Sequence, residues 1–375
     1  MSTSTNTDSH KVLVCVTGAS GFIGAAVALR CLDLGHSVRL PLRTQAQLDA
    51  WTSKYGEQYG KRLEVVLLGG SIDQHGVFDE IVQGCEVVIH VASPAVFDIK
   101  ADAETDILKP AIKGTTSILE SAKKAGSVKS VAITSSIAAY LSVAGFSSAG
   151  PETVLSETSW NEVTYEEAAK MTQEKAAEVY SASKALAEKT AWDFVKQPDV
   201  HFSLSTIAPA NVVGYNPAPT VKTLADVRGH SSFGVMVDVL WDQKQFLPLD
   251  GFQPRLFVGI ADTAHAHVAA ALNPHISNGH RYFLAADVSS WEELVRSMLK
   301  AEPALEEHLL ALPRGGEKTA NEKKREEKGM FSFEGDRAEK DFGFKYEPFD
   351  EYVAAFAKQV AELARAGASV SSMEE

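Results

Sequence analysis

Residues 12–24 read VLVCVTGASGFIG, and a helical pattern follows from Ala25 to Asp33. An unbroken apolar run of this kind is typical of a buried parallel strand. Three glycines follow it: Gly18 permits a tight turn, Gly21 lets the backbone approach a pyrophosphate, and Gly24 packs helix against strand. The helix N-terminus offers free N–H groups and a partial positive charge to that pyrophosphate. The segment therefore predicts a nucleotide-binding turn rather than a merely structural one.

Length, charge and composition exclude several classes of protein. The 375 residues suffice for one large domain or two closely joined ones. The net charge of −13 argues against nucleic acid and anionic membrane surfaces as partners. No apolar run approaches the ~20 residues of a membrane span, and residues 1–10 lack an apolar signal core. The cysteines have no metal-like spacing, so we expect reduced thiols, no metal site and a cytoplasmic location.

Strand and helix patterns alternate through the first half of the chain. Strands are expected at 37–42, 63–68, 87–92, 128–134 and 202–207, and helices at 46–55, 77–83, 106–124 and, with a break, 164–196. This alternation predicts an α/β fold with a Rossmann-type, doubly wound parallel sheet that has helices on both faces. Further on, helices are expected at 262–272, with Asp262 as N-cap, at 292–300 and at 349–364.

The chain is predicted to form a dinucleotide-binding domain and a smaller C-terminal substrate-binding lobe. The first comprises residues 11–214, with 255–272 returning to it, and the second comprises 215–254 and 273–365. Residues 1–10 are expected to be disordered, and 366–375 to form a flexible tail. A cleft between two such lobes is where a substrate would bind.

A second motif, Tyr180-Ser181-Ala182-Ser183-Lys184, lies in a helix-compatible stretch. Tyrosine and lysine four residues apart share one helix face, so both can reach one site. A free tyrosine has a pKa near 10, and a nearby ammonium group lowers it, as general acid–base chemistry at neutral pH requires. Taken alone, such a pair is more often an ordinary surface feature.

A third motif, Ile133-Thr134-Ser135-Ser136, ends a predicted strand. Ligands bind at the carboxyl ends of strands in open parallel sheets, although serine also favours ordinary turns. A glycine turn, a serine cluster and a Tyr/Lys pair in this order are unlikely to occur together by accident.

These motifs resemble those of the extended branch of the short-chain dehydrogenase/reductase superfamily. In particular, the chain is similar to the dihydroflavonol-reductase-like group, which includes fungal carbonyl, aldehyde and methylglyoxal reductases. The resemblance runs from about Val12 to Ala364 and rests also on His90 to Pro94, Pro110 to Thr115, Ala187 to Lys189, Pro209 to Gly214 and Asp262 to His267. It implies an NADP-dependent oxidoreductase, a ketoreductase or aldehyde reductase that interconverts a carbonyl group and an alcohol.

The resemblance also implies roles for individual residues. Tyr180 would protonate the carbonyl oxygen as hydride arrives from nicotinamide, and Ser136 would hold that oxygen by a hydrogen bond. Lys184 would bind the nicotinamide ribose and lower the pKa of Tyr180. The cofactor-binding residues expected in total are Gly18, Ser20, Gly21, Phe22, Ile23, Gly24, Arg43, Ser71, Ile72, Ala92, Ser93, Pro94, Thr134, Tyr180, Lys184, Pro209 and Val212. The substrate is expected to contact Ala95, Phe97, Ser136, Ile137, Leu141, Ala177 and Asn211, together with Val96 and the 215–250 segment.

Two positions depart from the family pattern. Ser71 stands where the family has an aspartate near the adenine, with Asp73 two residues later. Either of these two could make the adenine contact. Ala111 replaces an asparagine that many relatives carry, which argues against a proton relay through that position.

The end of the second strand indicates which nicotinamide cofactor is used. NAD-specific sites place Asp or Glu about 20 residues past the glycines, to hold the ribose 2′-hydroxyl. Here the sequence reads Leu40-Pro41-Leu42-Arg43-Thr44-Gln45, without a carboxylate. The guanidinium of Arg43 suits a 2′-phosphate, with Arg39 as a possible assistant, whereas the alternative for Arg43 is a solvated surface side chain. NADPH/NADP+ is therefore the expected cofactor.

The sequence is compatible with three functions. The first is an NADPH-dependent carbonyl reductase acting on a bulky, uncharged ketone or aldehyde, as a monomer or homodimer. The second is a nucleotide-sugar epimerase or dehydratase, which would need basic residues such as Arg255 for a diphosphate. The third is a non-catalytic NADP(H)-binding sensor, which typically loses the tyrosine or the lysine.

Overall fold

A seven-stranded parallel sheet forms the centre of the protein. The computed structural model describes residues 11–94, 99–142, 145, 149–227, 232–241, 255–309 and 331–371. Its strands are β1 (Leu13–Thr17), β2 (Ser37–Leu42), β3 (Leu63–Leu67), β4 (Val87–His90), β5 (Ser130–Thr134), β6 (Val154–Ser156), β7 (Ser203–Pro209), β8 (Asn211–Val213), β9 (Arg255–Gly259), β10 (Arg281–Leu284), β11 (Asp287–Ser289) and β12 (Ser332–Glu334). The central sheet has the order β10-β7-β5-β4-β1-β2-β3, and every neighbouring pair is parallel. The predicted Rossmann-type α/β fold is confirmed.

Burial on both faces explains why the central strands are apolar throughout. Val14 and Val16 on β1, Ile89 on β4 and Ala132 on β5 are all completely buried. The strand order reverses between β1 and β4, and the carboxyl ends of strands beside such a switch point form the ligand crevice of open α/β sheets.

Helices connect and cover these strands. They are α1 (Phe22–Asp33), α2 (Gln45–Tyr59), α3 (Lys109–Ala125), α4 (Tyr165–Ala168), α5 (Ala176–Phe194), α6 (Ser232–Leu240), α7 (Ile260–Leu272), α8 (Pro274–Ser277), α9 (Trp291–Ala301), α10 (Arg337–Phe342) and α11 (Phe349–Ser371). The break predicted within 164–196 is confirmed, because α4 and α5 are separated there. None of the helices in the described ranges is long and apolar enough to cross a membrane.

Three helix predictions are corrected by the structure. Residues 77–83 form successive turns, because Gly76 and Gly84 on either side both have φ of +74°, a left-handed conformation that interrupts a helix. Helix α7 starts at Ile260 with Gly259 as its N-cap, so Asp262 lies in the first turn, where it accepts a hydrogen bond from the Glu347 N–H at 2.8 Å. Helix α11 continues through residues 366–371, which the sequence assigned to the tail.

The boundary between the two predicted lobes also changes. Strand β10 lies in the central sheet beside β7, although the sequence assigned all of 273–365 to the lobe. Conversely, β9 pairs with β8 and β11 in a separate three-stranded sheet, and α7, which follows β9, returns to contact α1. A four-residue strand such as β10 is too short for its pattern to reveal its partner. With these changes, the division into a dinucleotide-binding domain and a substrate lobe stays a prediction.

Candidate active site

The glycine turn after β1 has a backbone that larger residues could not adopt. Gly18 has φ of +74°, and a Cβ there would lie 2.7 Å from the Ala92 nitrogen. A Cβ on Gly24 would overlap the carbonyl oxygen of Gly18, so α1 begins in direct contact with the turn. The Gly21 N–H donates to the Gly18 oxygen at 2.9 Å, which closes the turn. The result is a backbone cradle in front of a helix N-terminus, as a pyrophosphate site requires.

A buried hydrogen-bond chain holds this turn against the end of β4. The Thr17 hydroxyl accepts from the Ala92 N–H at 3.1 Å and lies 3.0 Å from Nδ1 of His90. Burial lowers the pKa of His90 to about 3, with a smaller contribution from the Lys184 charge, so the ring is neutral, and its tautomer determines which of the two groups donates. We did not select Thr17 or His90 from the sequence as site residues. The signal available there was a polar residue ending each of two adjacent apolar strands.

Ser136, Tyr180 and Lys184 are brought together by the end of β5 and by helix α5. The Tyr180 hydroxyl is hydrogen-bonded to the Ser136 side chain. The Lys184 ammonium lies 5.4 Å from the centroid of the Tyr180 ring and donates to the Ser93 hydroxyl at 2.7 Å. Thus four of the predicted residues, from three separate stretches of chain, lie at one site at the carboxyl edge of the sheet.

Burial decides the protonation of the two titratable groups at this site. It raises the pKa of Tyr180 to about 12, and the hydrogen bond from Ser136 acts in the opposite direction. Burial also lowers the pKa of Lys184 to about 8. The expectation that Lys184 lowers the pKa of Tyr180 is therefore not what this structure shows. A protonated tyrosine at neutral pH is nevertheless the form that a proton donor needs.

Two of the expected cofactor residues turn their side chains into the core. Phe22 is buried and packs edge-on against Phe233, with ring centroids 5.5 Å apart. Val212 is completely buried on β8. Only the backbones of these residues could touch a ligand. Thr134 is half-buried, and its hydroxyl lies 2.8 Å from Nε2 of His267.

The two arginines near the end of β2 behave differently. Arg43 is exposed, and its guanidinium makes no hydrogen bond or ion pair with any residue that the structure describes, whereas its backbone N–H donates to Oε1 of Gln47 at 3.0 Å. Arg39 forms an ion pair with Glu64 at 2.9 Å and donates to the backbone oxygen of Ile81 at 2.7 Å. Arg39 is thus occupied within the fold, and the expectation that it assists Arg43 is wrong.

The two departures from the family pattern lie at Ser71, after β3, and at Ala111, on α3. The Ser71 hydroxyl is hydrogen-bonded to the Asp73 carboxylate, so these two side chains form one unit. Ile72 between them lies against Gly114 of α3. Ala111, on the same helix, is buried and offers no polar atom of its side chain.

Only some of the expected substrate residues lie within the described ranges. Ala95, Val96 and Phe97 lie outside the described residues, as do 228–231 and 242–250 of the 215–250 segment. Ile137, Leu141 and Ala177 are half-buried, and Ile137 directly follows Ser136. Asn211 donates its side-chain amide to the Leu256 oxygen at 2.9 Å, which ties β8 to β9. Its side chain therefore has a structural partner.

Comparison with known proteins agrees with this geometry. The family model described as NAD dependent epimerase/dehydratase family matches residues 14–285. The chain belongs to this family. Within the NAD dependent epimerase/dehydratase family, the resemblance to the extended short-chain dehydrogenases/reductases and their dihydroflavonol-reductase-like members is confirmed.

Several reductases of the family cover most of the chain. Ketoreductase sphI of Aspergillus fumigatus is 33% identical over 75% of this chain and 81% of its own length. The bifunctional dihydroflavonol 4-reductase/flavanone 4-reductase of Malus domestica is 30% identical over 77% of this chain and 76% of its own. The crystal structure of yeast methylglyoxal/isovaleraldehyde reductase Gre2 complexed with NADPH is 25% identical, with a TM-score of 0.78, and the match covers 93% of this chain and 98% of Gre2.

Proposed function

We propose that this protein is an NADPH-dependent carbonyl reductase that converts a ketone or aldehyde to an alcohol. The observation that carries the proposal is the Ser136–Tyr180 hydrogen bond with Lys184 beside it, at the edge of the sheet where the glycine turn lies. The reductases among its relatives support it, and so does the NADPH in the Gre2 complex.

The residues present fit a dinucleotide phosphate. The cradle formed by Gly18, Gly21 and the N-terminus of α1 can accept a pyrophosphate, since side chains are excluded from it. Arg43, exposed and without a partner in the described part of the chain, can hold a 2′-phosphate through its planar fork. Lys184 and Ser93 can donate to ribose hydroxyls. When bound, NADPH supplies the hydride.

The chain itself binds and protonates the carbonyl oxygen. The hydroxyls of Ser136 and Tyr180 are hydrogen-bonded to each other, so a carbonyl oxygen that displaces this mutual bond can accept a hydrogen bond from each of them. Tyr180 then gives its proton to that oxygen as the C–H bond forms. The positive charge of Lys184 stabilises the phenolate that remains, even though burial raises the pKa of the free tyrosine.

The other two functions have weaker support. Arg255, the candidate for a diphosphate, packs its guanidinium 5.6 Å from the Trp291 ring centroid, and no carboxylate follows β2 to favour a resident NAD. A sensor would not need Ser136, Tyr180 and Lys184 together. The cytoplasmic location and the monomeric or homodimeric state stay predictions from the sequence.

The proposal is tested by a screen of ketones and aldehydes, small and bulky, that follows NADPH oxidation at 340 nm. Replacement Tyr180→Phe removes the proton but keeps most of the packing. It should lower kcat by about 10²–10⁴-fold and leave the Kd for NADPH within about twofold. A wild-type protein inactive on every carbonyl compound, or a variant that retains a tenth of the activity, would contradict the proposal.

A further inference from the structure

A buried carboxylate lies one helical turn beyond Lys184. Glu188 is on the same face of α5 and is 2% exposed. Its two oxygens accept hydrogen bonds from Ser135 Oγ at 2.5 Å, Thr206 Oγ1 at 2.7 Å and the Nε and Nη2 of Arg281 at 2.7 and 3.2 Å. These donors come from the end of β5, from β7 and from β10. One carboxylate therefore joins the helix that bears Tyr180 to three adjacent strands.

Arg281, which forms an ion pair with Glu188, is itself held by hydrogen bonds and by two aromatic rings. Arg281 is 9% exposed, and its Nη1 donates to the backbone oxygens of Glu157 and Ser159 at 2.9 and 2.6 Å. The guanidinium carbon lies 3.9 Å from the Tyr140 ring centroid and 3.6 Å from the Trp160 ring centroid. A planar fork clamped between two rings has one position in which it can bind a carboxylate through both oxygens. Arg281 thus fixes the carboxylate in space.

The Glu188 carboxylate is linked to both catalytic hydroxyls, to Ser136 through Ser135 and to Tyr180 through helix α5. Ser135 immediately precedes Ser136, and its N–H donates to the Ile207 oxygen at 2.7 Å, so only its side chain depends on Glu188. Tyr180 lies on α5, the helix that also carries Glu188. We propose that Glu188, held by Arg281, is a positioning residue that sets the separation of the Ser136 and Tyr180 hydroxyls; this inference rests on the proposed function.

A neutral amide of the same shape cannot replace the carboxylate here. In Glu188→Gln, one of the two acceptor oxygens becomes an NH2 group. In one orientation the NH2 group would face the Thr206 hydroxyl and Nε of Arg281. In the other it would face the Ser135 hydroxyl and Nη2 of Arg281. Either way, an N–H donor would point at an N–H donor of Arg281. Either orientation displaces α5 or the Ser135–Ser136 segment. Displacements of about 1 Å in a reacting geometry can cost ~10²-fold in rate.

The test compares Glu188→Gln with the matched control Asp193→Asn, an exposed carboxylate of the same helix. For Glu188→Gln, kcat for carbonyl reduction should fall about 10- to 100-fold. The Kd for NADPH should stay within about twofold, because the phosphate contacts come from the glycine turn and Arg43, which follow β1 and β2 and do not touch this ion pair. The control should match the wild type in both.

A solvent isotope effect separates positioning from a general loss of structure. Proton transfer from Tyr180 limits the rate more strongly when the Ser136 and Tyr180 hydroxyls are wrongly spaced, whereas partial unfolding lowers kcat without changing that step. The effect of D2O on kcat should therefore be larger in Glu188→Gln than in the wild type and unchanged in Asp193→Asn. A variant with kcat within twofold of the wild type, or with reduced kcat but an unchanged solvent isotope effect, overturns the proposal.

If Glu188→Gln does not fold, the milder variant Ser135→Ala tests the same proposal. Ser135→Ala removes one donor and leaves the ion pair intact; it should lower kcat about 5- to 10-fold, with the same increase in the solvent isotope effect and unchanged NADPH binding. Wild-type kinetics in Ser135→Ala then overturn the proposal. If the wild-type protein reduces no carbonyl compound, the proposed function fails and this inference with it. If the wild type is active and the variants have the same kinetics as the wild type, the positioning role is refuted and the proposed function stands.

Discussion

Replacing Lys184, the lysine of the proposed active site, should make the protein more stable. Lys184 is 8% exposed, and burial lowers its pKa from 10.5 to about 8. The folded protein thus binds this proton less tightly than the unfolded chain does. The resulting cost to stability is fully present below pH 8 and is relieved as the pH rises from about 8 to 10.5.

The size of the effect follows from the shift in the pKa of Lys184 and from the hydrogen bond that its ammonium makes with Ser93. Each pKa unit corresponds to about 1.4 kcal/mol, which gives an upper limit of roughly 3 kcal/mol for the burial of the charge. Loss of the bond to the Ser93 hydroxyl costs about 1 kcal/mol. Methionine retains the length and apolar volume of the lysine. The free energy of unfolding of Lys184→Met at pH 7 should therefore be about 2 kcal/mol higher than that of the wild type, and its Tm roughly 2–3 °C higher.

Urea unfolding of nucleotide-free protein at pH 7 and pH 9.5 measures this directly. The variant should be more stable at pH 7, and its advantage should shrink at pH 9.5, since the wild type then sheds the proton. Lys175→Met, an exposed lysine just before α5, is the matched control and should show neither effect. A Lys184→Met variant no more stable than the wild type at pH 7, or with the same advantage at both pH values, would refute the reasoning. Catalytic activity should be lost in any case.

Two further substitutions test the cofactor cradle. Arg43→Ala should raise the KM for NADPH about 10- to 30-fold and leave that for NADH unchanged, since an exposed charge-assisted hydrogen bond contributes about 1.5–2 kcal/mol. Lys54→Ala, a cation on α2, is its control, and equal efficiencies of the wild type with both cofactors would contradict the role of Arg43. Gly24→Ala places a methyl group on the Gly18 oxygen, so it should lower stability by about 1–3 kcal/mol and abolish NADPH binding. Gly56→Ala within α2 meets only a side-chain methyl at 3.4 Å and should instead raise stability; a stable, NADPH-binding Gly24→Ala would show that the turn has room.

Local sequence patterns determined the strands, the helix faces and the turns of this protein. The apolar run before Gly18 specifies a buried strand, because only a strand covered on both faces can bury every side chain. The pairing of Tyr180 with Lys184 on one face follows from helix periodicity alone. The positive φ of Gly18 follows from the tight turn that its spacing demanded.

Contacts between distant segments decided the rest. The sequence favoured Arg43 and left Arg39 as a less certain assistant, and the fold decided between them: Glu64 on the neighbouring strand pairs with Arg39, whereas Arg43 stays exposed. Burial, and not the neighbouring lysine, governs the pKa of Tyr180, and burial depends on elements far apart in the chain. The sequence marked Glu188 only as part of the family-like stretch Ala187 to Lys189 and gave it no role, because its partners lie at the end of β5, on β7 and on β10, and only the folded sheet brings them to one carboxylate. Charge, burial and hydrogen bonding are set by the three-dimensional surroundings of a group, whereas periodicity is set by its neighbours along the chain.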